Sequence, residues 1–232
     1  MEYTPYPITL ISFLTHDTFI LRVERRDASI TYLPGDYSYI KNPHALTPLE
    51  ERPFSIASSP TNTSYIEFCI KIYGDWTRQL SQLNPGALIH LSLPQHDTTL
   101  ANTYTIVFLV GGVGIAPVMS MLRYIIDKRL KKEIIIIYGN KTEKDIIYLQ
   151  ELNDISASHP EVHITHILSE EPDGSPWKGK RGFITRDNIL NASTDLRGAS
   201  FYIFGNPVFI TFALQALHEL NIGEDRIINR KK

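Results

Sequence analysis

The sequence predicts two domains, an antiparallel β-barrel followed by an α/β domain with a parallel sheet. Three observations support this prediction. In the first hundred residues, short strand-like segments recur at intervals of about ten residues between turns. After about residue 101, the strand-like segments are uniformly apolar and helix-period segments separate them. The first of these apolar segments runs directly into a cluster of glycines.

Length and composition are those of a globular protein. The chain has 232 residues, a formal net charge of −2 and 43% hydrophobic residues. This charge gives no electrostatic reason to expect a nucleic-acid or membrane partner, and the apolar runs are too short to span a bilayer. The first residues lack the basic and apolar segments of a signal peptide, so we expect a cytoplasmic protein without membrane insertion. The single cysteine, Cys69, excludes an internal disulfide and a four-cysteine iron–sulfur cluster.

The N-terminal domain is predicted from alternating, β-prone segments. The predicted strands are 18–25, 37–40, 65–72 and 88–93. A short helix is expected over 77–83, with Thr77 as its cap, before the turn at 84–86. The change of pattern over residues 95–99 places the boundary there, which gives domains 1–98 and 99–232.

The C-terminal domain is predicted from apolar strands that alternate with helices. The predicted elements are strand 106–110, helix 117–130, strand 134–138, helix 142–156, strand 162–168, strand 201–204, helix 207–220 and edge strand 226–229. Strands without alternation, interleaved with helices, are typical of a parallel sheet that is covered on both faces. Residues 142–145 resemble a capping box at a helix start.

The glycine cluster follows the first strand of the C-terminal domain and reads Gly111-Gly112-Val113-Gly114-Ile115-Ala116-Pro117. Glycines allow close approach of the backbone to an anion, and the first N–H groups of a helix stabilise negative charge. The segment therefore predicts a phosphate-binding turn. A dinucleotide fingerprint has glycine where this chain has Pro117, and proline suits the first turn of a helix.

A second motif in the N-terminal domain reads Glu51-Arg52-Pro53-Phe54-Ser55. Together with the glycine turn, it resembles the ferredoxin–NADP reductase superfamily of flavoenzymes. Members place an FAD-binding β-barrel before an α/β domain that binds NAD(P). The resemblance covers essentially the whole chain. In size and layout, the chain is most similar to compact members without a fused ferredoxin domain, such as flavin reductases.

The resemblance implies a set of FAD-binding residues in the N-terminal domain. Arg52 would pair with the flavin pyrophosphate, because a guanidinium is a planar, permanently charged donor. Phe54 would pack on the isoalloxazine, and the Ser55 hydroxyl would bond near flavin N5, which makes Ser55 the candidate catalytic residue. The remaining candidates are Pro53, Ile70, Lys71, Gly74, Trp76 and Thr77.

For the C-terminal domain, the resemblance implies an NAD(P) site. Gly111, Gly112, Val113, Gly114, Ile115 and Pro117 would hold its pyrophosphate. Asn140 and Lys141 would lie near the adenosine ribose, together with Ser169 and Glu170. Because Glu170 would repel a 2′-phosphate, NADH is favoured over NADPH. Basic residues at 178, 180 and 181 could compensate for that charge, so NADPH stays open.

One departure from the family pattern lies at Phe204-Gly205-Asn206-Pro207, since relatives usually have Cys-Gly here. That cysteine helps to align nicotinamide C4 with flavin N5, and a phenylalanine would slow the transfer or gate access to it. The four residues remain candidates for cofactor binding.

The resemblance implies an FAD-dependent NAD(P)H oxidoreductase that passes a hydride from nicotinamide C4 to flavin N5. Electrons would then pass to an external acceptor: a ferredoxin-like protein, an oxygenase component or free flavin. The alternative is a non-catalytic subunit that binds flavin or nucleotide, with a regulatory or electron-transfer role. No metal site is predicted.

Overall fold

The computed structural model describes residues 2–25, 30–46, 50–192 and 196–229. Its residues divide into two compact units. The first unit comprises the residues up to 100 together with 116–130, and the second comprises 101–115 and 131 onwards. The domain boundary expected after residue 98 stays a prediction.

The first unit contains one antiparallel sheet. Its strands are β1 (Tyr3–Phe13), β2 (Thr18–Glu24), β3 (Tyr37–Lys41), β4 (Glu51–Ser55), β5 (Tyr65–Lys71) and β6 (Leu88–Ser92). They are ordered β4-β3-β6-β1-β2-β5 and each neighbouring pair is antiparallel. An isolated bridge between Ile56 and Phe68 links the two ends of this order. The predicted antiparallel barrel is confirmed.

Strand β1 is absent from the sequence prediction, although it pairs with both β2 and β6. Its first half contains Pro5 and Pro7, and proline has no N–H to donate to a strand ladder. The register shifts between Ile8 and Leu10, where the strand passes from one partner to the other. The prolines therefore make a central strand resemble a loop.

The helix that follows β5, α1, covers Gly74–Ser81. The prediction that Thr77 caps this helix was wrong, because the helix begins three residues earlier and its N-cap is Tyr73. Thr77 still satisfies the helix start: its Oγ1 accepts the Tyr73 N–H at 2.7 Å and donates to the Gly74 carbonyl at 3.2 Å. A hydroxyl one turn inside the helix thus replaces the cap.

Helix α2 (Ile115–Asp127) packs with the sheet of the first unit through a buried charge cluster. Glu67 is fully buried and accepts from Arg123 at 2.8 Å and from Arg22 at 2.7 Å. Burial alone would raise the pKa of Glu67, but the two arginines outweigh it and the pKa is lowered. The Ser120 hydroxyl also donates to the Ser58 carbonyl at 2.8 Å.

The second unit contains one parallel sheet. Its strands are β7 (Thr105–Gly111), β8 (Glu133–Asn140), β9 (Val162–Leu168), β10 (Lys180–Arg181), β11 (Ser200–Phe204) and β12 (Ile227–Asn229). The order is β10-β9-β8-β7-β11-β12, and every neighbouring pair is parallel. Its helices are α3 (Leu149–Ser158), α4 (Arg186–Leu190) and α5 (Pro207–Glu219). The predicted parallel α/β architecture is confirmed.

The helix predicted over 142–156 is two separate pieces. Thr142 and Asp145 form the expected capping box, but it encloses a single 3-10 turn (Glu143–Asp145). Tyr148 then takes a left-handed conformation (φ 59°), and α3 begins after it. Strand β10 and helix α4 are short elements that the sequence pattern did not indicate. Within the described ranges, no helix has the length and apolar character needed to cross a membrane.

Candidate functional site

In the first unit, three predicted site residues form a cluster of one charge and two rings. Arg52 and Phe54 are two residues apart on β4 and therefore point to the same face. The Phe54 ring stacks on the Trp76 ring of α1, with centroids 5.9 Å apart and planes at 16°. The Arg52 guanidinium lies 5.0 Å from the Trp76 ring centroid. The structure thus brings together a cation and a pair of parallel aromatic rings.

Arg52 also pairs with the neighbouring carboxylate of Glu50. Its Nε and Nη2 lie 2.7 and 2.5 Å from Glu50 Oε1. Both side chains are about one-third exposed, at 35% and 36%. Ion pairs at such positions contribute about 0.2–1 kcal/mol, so an anionic ligand can compete for the guanidinium. Arg52 remains available as an anion-binding group.

The other candidates on the strands lie around this cluster. Ile70 is fully buried in the core of the first unit, and Phe54 packs against that core. Ser55 is half-buried and pairs with Tyr37 in the sheet, whereas Pro53 is exposed. Lys71 is separate from the cluster, because its ammonium lies 2.6 Å from the Asp17 carboxylate.

The residues present fit a flavin nucleotide. Trp76 is 4% exposed, and its buried Nε1 has no hydrogen-bond partner among the described residues. An unpaired buried donor costs about 1–3 kcal/mol, which a ligand acceptor would relieve. Gly74 begins α1 with φ 75°, and a side chain there would meet nothing within 4 Å. A cation, flat rings, a free donor and open space at a helix start together suit a ligand with a phosphate and a planar ring.

In the second unit, the glycine turn has the predicted strand–turn–helix context. Strand β7 ends at Gly111, a 3-10 turn covers Gly112–Gly114, and α2 follows. Gly112 has φ 52°, and a Cβ there would meet nothing within 4 Å. A Cβ on Gly114 would lie 2.5 Å from the Phe204 carbonyl oxygen. Gly112 therefore faces open space, and Gly114 lets the turn contact the backbone at the end of β11.

The remaining residues of the turn differ in exposure. Val113 is half-buried, whereas Ile115 and Pro117 are buried. Pro117 is the third residue of α2. The N–H groups of a first helical turn have no intrahelical partner, so proline loses no helical hydrogen bond at this position.

The ring of Phe209 packs on three strand ends. A Cβ would lie 2.6 Å from this ring at Gly111, 3.0 Å at Gly139 and 2.7 Å at Gly205. Asn206 begins α5 by accepting the Phe209 N–H at 2.9 Å, and Pro207 is the first helical residue. Phe209 was not predicted from the sequence, although a glycine at or next to the end of each of three neighbouring strands was a signal for a close packing partner.

The ends of β8 and β9 bring together four predicted residues. The Ser169 N–H donates to the Asn140 carbonyl at 3.0 Å, and the Glu170 N–H donates to the Lys141 carbonyl at 2.8 Å. The Lys141 ammonium lies 3.0 Å from the Glu170 carboxylate. The hydrogen bond and charge of Glu170 raise the pKa of Lys141. The acid and the base predicted at this position are thus an exposed ion pair.

The side chain of Asn140 indicates whether the second unit suits a nucleotide. It is 8% exposed, and neither its Nδ2 nor its Oδ1 has a partner among the described residues. A buried amide without partners is unfavourable, and its donor and acceptor match those of a ribose hydroxyl. Asn140 directly follows Gly139, which pairs with Gly111 across the sheet. These residues fit a nucleotide with a pyrophosphate on the turn.

Phe204 is buried, with 4% of its surface exposed. Its ring stacks on Tyr202 at 6.1 Å, and Tyr202 contacts Phe108 at 5.2 Å. An apolar ring fixed by stacking offers a ligand no hydrogen bond. Within the described residues, no group of three or more histidine, cysteine, aspartate or glutamate side chains is arranged to hold a metal ion.

Comparisons with known proteins match the two parts of the chain to two different domain families. Residues 4–104 match the model of an FAD-binding domain, and residues 108–215 match that of an oxidoreductase NAD-binding domain. NADH-cytochrome b5 reductase 2 of Candida glabrata is 32% identical over 165 residues, which cover 68% of this chain and 55% of the relative. The reductase component of propane 2-monooxygenase from Rhodococcus jostii is 28% identical over 97% of this chain and 62% of the relative.

Among solved structures, the CS-b5R domains of human Ncb5or in the NAD+ form superpose with a TM-score of 0.86. Sequence identity is 25%, over 99% of this chain and 70% of that one. The chain spans about half the length of the curated relatives it matches. It belongs to the ferredoxin–NADP reductase superfamily, with an FAD-binding domain and an NAD-binding domain.

Proposed function

We propose that the protein is an FAD-dependent NAD(P)H reductase that passes electrons to an external acceptor. The observation that carries this proposal is the presence of two anion-binding arrangements of different kinds in one chain. Arg52 lies beside the Phe54–Trp76 ring pair in the segment that matches an FAD-binding domain. The glycine turn and the unpaired Asn140 amide lie in the segment that matches an NAD-binding domain.

Each group has a proposed part in this reaction. Arg52 would hold the flavin pyrophosphate, Phe54 and Trp76 its planar ring, and the Ser55 hydroxyl would be the polar partner at flavin N5. The glycine turn would hold the dinucleotide pyrophosphate by its backbone N–H groups. When bound, the nicotinamide and the flavin supply the chemistry themselves, a hydride passing from C4 to N5. The protein binds, orients and excludes water.

The charges at the adenosine end support NADH as the preferred reductant. Lys141 is paired with Glu170 at this edge, with their charged groups 3.0 Å apart. A 2′-phosphate would thus meet a carboxylate and a lysine that is already paired. The ribose of NADH carries a hydroxyl there, which can donate to a carboxylate.

The acceptor is proposed only by class. This chain has one cysteine, so an iron–sulfur acceptor would lie outside these 232 residues. Relatives are named as reductases of cytochrome b5 and as reductase components of oxygenases. A haem or iron–sulfur protein therefore fits, and so does a free flavin.

A second candidate function is a non-catalytic subunit that binds flavin and nucleotide. The buried Phe204 ring favours it, because relatives usually have a cysteine that aligns the reacting rings. An assay of NADH oxidation by the FAD-loaded protein separates the two candidates. Ferricyanide serves as the general acceptor, and cytochrome b5, a ferredoxin and free riboflavin as specific ones. The reductase proposal predicts ferricyanide reduction that requires added FAD. Retained FAD without NADH oxidation would support the non-catalytic subunit.

A further inference from the structure

The hydroxyl of Tyr138 contacts the glycine turn from inside the second unit. Tyr138 lies on β8, opposite Val110 of β7, and is fully buried. Its hydroxyl donates to the Gly112 carbonyl at 3.0 Å. The same carbonyl accepts the Ile115 N–H at the end of the 3-10 turn. Both lone pairs of the Gly112 oxygen are therefore used by groups of the protein.

This bond fixes the orientation of one peptide unit of the turn. In a trans peptide the C=O and the following N–H point in opposite directions. Since the Gly112 carbonyl is directed to the buried Tyr138 hydroxyl, the Val113 N–H is directed away from that hydroxyl. Gly112 also has φ 52°, a conformation that a glycine adopts freely and leaves freely. A fixed contact is needed to hold such a flexible residue in one orientation.

The ring of Tyr138 is held in place by two further rings. His166 lies 5.7 Å from it on β9, and the Trp177 ring lies 6.4 Å from His166. Trp177 is itself fixed, because its Nε1 donates to the Lys180 carbonyl at 3.2 Å. Packing thus restricts the position of the Tyr138 hydroxyl before any ligand binds.

We propose that Tyr138 is a positioning residue for the dinucleotide pyrophosphate, because its hydroxyl holds the Gly112 peptide with the Val113 N–H presented to the ligand. This inference rests on the proposed function, since it needs the turn to bind NAD(H). Pre-organised donors bind an anion more tightly than donors that must first be ordered. Tyr138 acts through the turn and does not itself contact the ligand.

Tyr202 offers a matched control. It is also a fully buried tyrosine of the same sheet, on β11. Its hydroxyl accepts the Ala101 N–H at 2.6 Å, and Ala101 precedes β7, at the opposite end of this strand from the glycine turn. Tyr138→Phe and Tyr202→Phe therefore each remove one buried hydroxyl that bonds to the main chain, and only the first loosens the turn.

The experiment measures NAD+ binding to the FAD-loaded protein by calorimetry, together with thermal unfolding. Loss of one neutral hydrogen bond corresponds to about a threefold to tenfold change in binding. We expect Tyr138→Phe to raise the Kd for NAD+ by this factor, and Tyr202→Phe to leave it unchanged. In turnover with ferricyanide, Tyr138→Phe should raise KM for NADH at unchanged kcat, which a general loss of stability does not produce.

Two results would overturn the inference and one would overturn its basis. An unchanged Kd in Tyr138→Phe shows that the hydroxyl does not position the turn. An equal rise in both variants shows that any buried hydroxyl of this sheet has the same effect. If the wild-type protein does not bind NAD+ at all, the proposed nucleotide site is wrong, and the positioning role falls with it. A cooperative thermal unfolding transition of Tyr138→Phe, together with unchanged FAD affinity, verifies that the variant is folded.

Discussion

The two candidate sites offer an anion different chemical groups. In the first unit, the charged side chain of Arg52 lies beside aromatic rings and also forms an ion pair with Glu50. In the second unit, the turn offers main-chain N–H groups, and its glycines allow close contact. The comparison teaches that the first site tolerates small backbone shifts but depends on one cation, whereas the second depends on the backbone path itself. A substitution that moves the backbone should therefore impair the second site more, and a substitution that removes a cation should impair the first site more.

Gly114→Ala is expected to have the largest effect. Its Cβ would lie 2.5 Å from the Phe204 carbonyl oxygen, so the backbone of the turn or of β11 must move. We expect the Kd for NAD+ to rise more than about tenfold, with FAD affinity unchanged. Calorimetry with each cofactor measures both values. Gly74→Ala is the counterpart in the first unit, because it has a left-handed φ but nothing within 4 Å. A loss of FAD binding in Gly74→Ala as large as the loss of NAD+ binding in Gly114→Ala would contradict the comparison.

Arg52→Ala should have the next largest effect and should act on FAD only. Hydrogen bonds to a charged group contribute about 1.5–3 kcal/mol, which is roughly a tenfold to hundredfold change in FAD affinity. Quenching of flavin fluorescence on titration measures this affinity. Lys128→Ala removes an exposed cation of the same unit and serves as the control. If both variants retain FAD as the wild type does, Arg52 has no part in the site.

Much of the local structure of both candidate sites could be predicted from the sequence, because the signals are local. The strand–glycine–helix pattern of residues 106–117 and the Arg52-Pro53-Phe54-Ser55 motif each lie within one short segment. Strand β1 could not be predicted, since Pro5 and Pro7 remove the donors that mark a strand. Contacts between distant segments also escaped prediction. Examples are the Glu67 pairs with Arg22 and Arg123, the Phe209 packing and the Tyr138 hydrogen bond.

Acid should destabilise the second unit at a higher pH than the first. Burial lowers the pKa of His166 from 6.5 to about 4, so the folded state binds fewer protons than the unfolded state between these values. Stability is therefore lost as the pH falls from 6.5 towards 4, by on the order of 3 kcal/mol when complete. The pKa of Glu67 is lowered from 4.5, so its contribution is present above pH 4.5 and is lost as the pH falls through the lowered value.

Scanning calorimetry from pH 7 to pH 4 measures how the stability of the protein changes with pH. The wild-type protein should lose stability over the whole interval, and His166→Phe should be nearly independent of pH above 4.5. Glu67 is unaltered in that variant, so the loss of stability below pH 4.5 should persist. If the stability of His166→Phe depends on pH as that of the wild type does, His166 is not the cause of this dependence.

Glu170→Gln should give the smallest effect, a change of nucleotide preference. The substitution removes a repulsive charge and releases Lys141, which lies 3.0 Å away, to pair with a 2′-phosphate. Exposed pairs contribute about 0.2–1 kcal/mol, so the NADPH/NADH ratio of kcat/KM should rise about twofold to fivefold. Glu171→Gln is the control, because it removes the adjacent charge, whose carboxylate accepts the Glu143 N–H at 2.7 Å. The same shift in both variants would reflect net charge alone.

The central claim is that one chain binds both FAD and a reduced nicotinamide and couples them. Anaerobic mixing of the FAD-loaded protein with NADH, followed by flavin absorbance in a stopped-flow instrument, tests it most directly. The account predicts loss of the oxidised flavin band at a rate that saturates with NADH concentration and is slower with NADPH. A flavin band that stays oxidised with both nucleotides would contradict it.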